Sequence, residues 1–206
     1  MPSRKKLNEM RDQAAERYKP EHIRLLLVAE TPPVTQPSDP PRYFYFEAVS
    51  KHDGLFRGVV RAVLKVEPDR ASKARLLDRL RERGVFLIDL KPDPSDPRPF
   101  SDFVPSLIER CRALRPERII LIKANVFDEA FAALKAANLP VVNVRVPFPG
   151  SGRQAEFAQQ FAKAMRKRPR RTTPPKLIHE PPATDGDTIE VPSAAPGAVE
   201  TSASGA

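Results

Sequence analysis

The chain has 206 residues, 40% of them apolar, with 24 prolines and a formal net charge of +9, which suits one folded domain with unpacked tails. One cysteine, Cys111, excludes an internal disulfide and a thiolate-clustered metal site, and three scattered histidines argue against zinc. No run approaches the ~18 apolar residues that span a bilayer, so no membrane partner is expected.

The first residues, Met1-Pro2-Ser3-Arg4-Lys5-Lys6, lead into no apolar secretory segment, and a reduced, cytoplasmic setting is expected. Residues 4–19 carry Leu7, Met10, Ala14 and Tyr18 at helical spacing, an amphipathic helix that ends before Pro20. A strand follows over Ile23 to Ala29, with Leu25-Leu26-Leu27-Val28 forming an unbroken apolar run, the mark of a strand buried on both faces of a parallel sheet. Glu30 and Thr31 come next, and Pro32 and Pro33 stop the strand because neither donates a ladder hydrogen bond. A carboxylate is thus held at the carboxyl end of a buried strand, the edge where open α/β sheets bind ligands. The plainer alternative is that Glu30 caps a turn or pairs with an arginine.

Residues 31–42 hold five prolines and form a long loop, a type that is often functional. Tyr43-Phe44-Tyr45-Phe46 follows, and strand-like alternation would put the tyrosines on one side and the phenylalanines on the other. Rings at the mouth of a site would stack a base or sugar; equally, all four would plug the core. Leu55 to Leu64 is helix-periodic, and Ala71 to Arg83 is a charged helix with Leu76, Leu77 and Leu80 buried and Gly84 as its stop. A second strand covers Val85 to Leu90 and ends at Lys91. The stretch from Lys91 to Pro99 is a proline-rich loop, and Ser101 is placed to cap a helix to Leu114, with Pro105 tolerated near its first turn. Cys111 lies in that helix beside Ile108 and Leu114, as a small core residue. A third strand covers Arg118 to Ile122, Asn125 caps a helix through Ala137, and a fourth strand covers Val141 to Val146. Pro147-Phe148-Pro149-Gly150-Ser151-Gly152 is a rigid turn, and Arg153 opens a last helix to about Arg166.

Four buried strands alternating with helices predict a three-layer α/β sandwich, a four-stranded parallel sheet flanked by helices, over residues 1–166. Residues 167–206 are rich in Pro, Ala, Ser and Thr and read as a disordered tail with a basic start. The tail holds five Lys/Arg and five Asp/Glu, so the whole +9 sits in the body. A basic folded body attracts polyanions, nucleic acid first among them.

Parallel strands deliver their carboxyl ends to one edge. That edge collects Glu30 and Thr31, then Asp89 and Lys91, then Lys123 and Asn125, then Arg145, the Pro-Phe-Pro-Gly turn and Arg153. Gly150, Ser151 and Gly152 precede a helix start, where free N–H groups favour phosphate; a plain cap by Ser151 or Gly152 fits the same residues.

This arrangement resembles the uracil-DNA glycosylase superfamily over about residues 23–165. Ala29-Glu30-Thr31-Pro32-Pro33 is similar to that family's first motif, in the branch that has Glu-Ala-Pro. Tyr43-Phe44-Tyr45 stands where the family has a ring that stacks on the flipped base, and Val146 to Gly152 stands where its second motif enters the minor groove. The resemblance implies a four-stranded parallel sandwich, DNA as partner, no cofactor, and hydrolysis of the N-glycosidic bond to a damaged base. The implied assignments are Glu30 and Thr31 to catalysis, Tyr43 and Phe44 to base stacking, and Lys91, Lys123, Asn125, Phe148, Gly150, Ser151, Gly152 and Arg153 to DNA. Two departures bear on chemistry. Thr31 fills the slot of the water-directing Asp or Asn and cannot act as a carboxylate base. Val146 or Phe148 fills the slot of the histidine that hydrogen-bonds the departing base. Either Glu30 takes over the water, with Lys123 or Arg153 stabilising the leaving base, or the fold keeps a nucleic-acid pocket without cleavage. An unrelated α/β enzyme for an anionic small molecule is the remaining alternative.

Overall fold

Leu25–Ala29 forms β1, and all five of its side chains are buried. The computed structural model describes residues 3–34, 42–48, 53–69, 71–150 and 152–167. Most of the first proline loop, Ser151 and the tail beyond Lys167 lie outside them. Fully burying aliphatic side chains of this size stabilises by about 1.5–3 kcal/mol each, so β1 is the natural centre of the sheet. It is flanked on both sides by parallel partners, β2 (Val85–Asp89) and β3 (Ile119–Leu121), in the order β2-β1-β3.

Among the described residues six helices flank the sheet: α1 (Arg4–Arg17), α2 (Gly54–Leu64), α3 (Lys73–Glu82), α4 (Val104–Leu114), α5 (Ala124–Ala136) and α6 (Gln154–Arg166). Right-handed crossovers in opposite directions along the sheet put α2 and α3 on one face and α4 on the other. The packing agrees, because α2 touches α3 and α6 while α4 touches α5. Gly84 stops α3 with φ of +72°, and an added Cβ there would lie 2.8 Å from the His22 carbonyl oxygen. None of the described helices is long and apolar enough to cross a membrane.

The structure corrects the strand count. Among the described residues the sheet has three strands, and residues 141–146 are not a fourth. They touch the third strand's side by two isolated parallel bridges, Ile119↔Val141 and Ile122↔Val146. Three steps on one side therefore face five on the other. The slack is taken up by tight local bonds, Val141 N–H to the Leu139 carbonyl at 2.7 Å and Val144 N–H to the Val142 carbonyl at 2.9 Å. The apolar pattern was real, since Val141, Val142, Val144 and Val146 are all buried, but the ladder is broken.

Three local expectations also change. Tyr43 to Phe46 form a turn instead of an alternating strand. Ser101 lies inside a 3-10 turn, Phe100–Phe103, and does not cap α4, although Pro105 does sit in that helix's first turn. Along α1 the buried residue is Arg11, 4% exposed, while Met10 is exposed. Arg11 donates to the Pro33 carbonyl at 3.0 Å, so the helix is locked to the Pro32-Pro33 turn by a charge-assisted bond. Cys111 is fully buried, and burial pushes its thiol up to about 12, which makes it an inert core residue.

The Pro-Phe-Pro turn is seated against α2. A Cβ on Gly58 would meet Pro149 Cβ and Cγ at 2.9 Å and Phe157 Cε1 at 3.1 Å. Gly58→Ala is therefore expected to cost about 1–3 kcal/mol by overpacking and to displace the Phe148 turn. A thermal melt that matches the parent would contradict this.

Candidate functional site

Register assembles the site. Leu26 pairs with Ile119 and Val28 with Leu121; two residues further on, the same offset sets Glu30 opposite Lys123. Lys123 Nζ donates to Glu30 Oε2, and Asn125 Nδ2 donates to Glu30 Oε1. The turn that carries both donors is strained. Lys123 has φ +85° and ψ 143°, a region that glycine alone adopts readily and that costs other residues on the order of 1–3 kcal/mol. Its N–H is held by the Val146 carbonyl at 2.8 Å, and its own carbonyl accepts from Phe127 N–H at 3.2 Å. Asn125 is thus not the helix cap. Lys123 occupies that position, and the Asn125 amide serves Glu30 instead. Strain of this kind is characteristic of sites. The place fits as well. β1 connects towards β2 and β3 away from it, so Glu30 and Lys123 flank the switch point where such sheets bind ligands.

A cavity of about 330 Å³ opens there. Glu30, Thr31, Tyr43, Phe44, Lys123 and Phe148 all line it, so the two proline turns and the aromatic segment share one hollow. Phe44 is 7% exposed and packs edge-on to Tyr45 and Phe56, whereas Phe148 is 42% exposed. Tyr45 belongs to the core: its hydroxyl donates to the Leu87 carbonyl at 3.1 Å and accepts from Leu87 N–H at 2.6 Å.

Three further residues complete the polar lining: Asp89, Asp53 and Arg42. Thr31 Oγ1 and Arg42 Nε are buried and meet no hydrogen-bond partner among the described residues. An orphaned buried polar atom costs about 1–3 kcal/mol, and Arg11 Nε and Arg57 Nε are in the same situation. Asp53 accepts from Lys73 Nζ at 2.5 Å, and Lys73 is itself 1% exposed. Asp89 is buried, and desolvation raises its carboxyl to about 7 against the opposing pull of Arg11 and Arg110, with Glu30 adding to the rise. Arg110 is occupied by the Asp89 and Leu90 carbonyls at 2.8 and 2.9 Å. The cavity therefore offers two carboxyls in different situations, one ion-paired and one whose proton burial holds up to about pH 7. Such pairs divide base and acid roles.

No protein-family model, curated protein or solved structure matches this chain.

The other expected site residues stand apart from the hollow. Lys91 donates to the Arg98 carbonyl at 3.2 Å and lies over the Phe100 and Phe103 rings, both at 5.6 Å. Arg145 pairs with Asp128. Arg153 is the N-cap residue of α6 and pairs with Glu156 at 3.1 Å, so it is not poised over a leaving group. Gly150 and Gly152 flank Ser151, which lies outside the described residues, and neither glycine lines the cavity. Asp53 and Arg42 carried no sequence signal, since each is one charge in a loop among many. Asp89 was legible as an edge residue, but its burial was not.

The raised carboxyl has a sign that can be tested. Asp89 binds its proton more tightly folded than unfolded, so its contribution to stability is fully present below about pH 4 and is lost as pH rises through about 7. Asp89→Asn is expected to stabilise the fold more at pH 8 than at pH 5. Equal gains in melting temperature at the two pH values would contradict the assignment.

Proposed function

We propose that the cavity receives one unstacked nucleoside of DNA, and that the chain is a divergent relative of the uracil-DNA glycosylases which hydrolyses the N-glycosidic bond to a deaminated base. The observation that carries this is the convergence of Glu30-Thr31, Tyr43-Phe44 and Phe148, from three distant parts of the chain, on one hollow of about 330 Å³. A hollow of that size takes a nucleoside and excludes a duplex, so the base must leave its stack. Tyr43 and Phe44 form the wall beside the base, and the exposed Phe148 ring fills the gap left behind or stacks on a neighbouring base.

In this reading a water lies between Glu30 and the sugar. Lys123 and Asn125 fix the Glu30 carboxylate, and Thr31 Oγ1 hydrogen-bonds the same water or the ligand. The bond from C1′ to the base nitrogen breaks as the water oxygen bonds to C1′. The water proton passes to Glu30, and the departing base takes the Asp89 proton. Asp89 thus stands in for the missing histidine, because a protonated carboxyl donates a hydrogen bond just as an imidazole does. Neither side chain that can fill the family's histidine slot donates a hydrogen bond: Val146 is fully buried and aliphatic, and Phe148 is a hydrocarbon ring. That absence favours a second reading, a pocket that holds a base without cutting.

Binding comes first in both readings. Fluorescence anisotropy with a uracil-containing single-stranded oligonucleotide is expected to show affinity that falls steeply with salt. Phe148→Ala is expected to weaken it by about 1–3 kcal/mol through lost stacking. Affinity independent of both salt and Phe148 would remove both readings and leave the small-molecule alternative.

A further inference from the structure

A second cavity, about 720 Å³, opens at the opposite pole of the sheet, and the proposed reaction does not use it. It is bounded by α2 and α6, together with Leu25 and Val85 at the starts of β1 and β2. Its wall is aliphatic: Ala62, Ala158, Ala162 and Met165 line it, and Met165 is 40% exposed. Phe157 and Phe161 also contribute, but each is 1% exposed, so no ring face is offered to a nucleobase.

The rim is cationic. Six Lys/Arg residues and one carboxylate, Glu117, are among the residues lining it. Glu117 is engaged by His22 at 2.6 Å. Arg61 is taken by Glu67, Arg83 by the Val63 carbonyl at 2.9 Å, and Arg118 by the Ala164 and Met165 carbonyls. Arg24, Lys65 and Arg166 make no side-chain hydrogen bond or ion pair among the described residues. An apolar trough with three unengaged cations at its edge matches an anionic head on an aliphatic chain.

We propose that this groove binds an aliphatic carboxylate, its chain along α2 and α6 and its head on the unengaged cations. The test is calorimetric titration of the full chain with straight-chain carboxylates. Dodecanoate is expected to bind, and affinity is expected to rise about two- to fourfold per methylene from octanoate upward. Dodecyltrimethylammonium, with the same chain and the opposite charge, is expected not to bind. Arg24→Gln with Arg166→Gln is expected to weaken dodecanoate at least about tenfold. Ala158→Leu, at an exposed position, fills the trough and is expected to block binding with the melting curve unchanged. Equal binding of the two amphiphiles, or dodecanoate affinity untouched by either set of substitutions, overturns the proposal. So does displacement of dodecanoate by oligodeoxythymidylate, which would make the rim a polyanion surface.

Discussion

Glu30→Gln is expected to lower base release by about 10²- to 10⁴-fold, the usual contribution of a positioned acid–base group, while DNA affinity changes little. Glutamine keeps the shape of Glu30 and one of its acceptor oxygens. Asn125 can still donate to that oxygen. What is lost is the negative charge that faces Lys123 and that, in the proposed reaction, takes the water proton and faces the cation forming at C1′. The aromatic walls that hold the base, Tyr43, Phe44 and Phe148, are untouched. Single-turnover rates and anisotropy on the same preparation separate the two effects. A rate within about threefold of the parent would show that Glu30 has only a structural role. Rate and affinity falling together would show that Glu30 holds the ligand.

Asp53→Asn is expected to destabilise the fold by about 3–5 kcal/mol. Lys73 is 1% exposed, its ammonium lies 4.8 Å from the Phe56 ring centroid, and its contacts are Asp53 at 2.5 Å and the Tyr43 carbonyl at 3.4 Å. Without the carboxylate a buried charge is left unmatched. Desolvation already lowers the Lys73 ammonium, and Asp53 is what opposes it. The unfolded chain therefore binds the lysine proton more tightly than the native one, and the cost of the variant should shrink as pH rises towards about 10. Denaturant unfolding at pH 7 and pH 9.5 tests this. A loss that stays constant with pH, or is below about 1 kcal/mol, would contradict it. The pair also ties the Tyr43 turn to the start of α2, so the variant should loosen the aromatic wall of the cavity.

These two residues show where sequence reasoning reaches and where it stops. The central strand was legible because four consecutive aliphatic residues followed by Glu-Thr-Pro-Pro have few other places to go. The stop at Gly84 was legible because its backbone demands glycine. The edge position of Glu30 and Lys123 followed from parallel strands alone. The fourth strand does not form although its residues alternate: alternation reports burial, and Val142, Val144 and Val146 are buried, with Asn143 and Arg145 exposed between them, whether or not the ladder closes. Arg11 and Lys73 could not be foreseen as buried. A charge goes inside only when a partner waits there, and their partners, Pro33 and Asp53, lie 22 and 20 residues away. Asn125 looked like a cap because Asn often is one. The strained turn at Lys123 freed it for Glu30, and nothing local announces such strain in a lysine.

Release of free base from a single-stranded oligonucleotide carrying one uracil, followed by mass spectrometry with the full chain, tests the central claim most directly. The account predicts uracil and an abasic strand as the products, at a rate that declines above about pH 7 as Asp89 loses its proton. An intact strand at every pH, with binding preserved, would show that the cavity holds a base without cutting it.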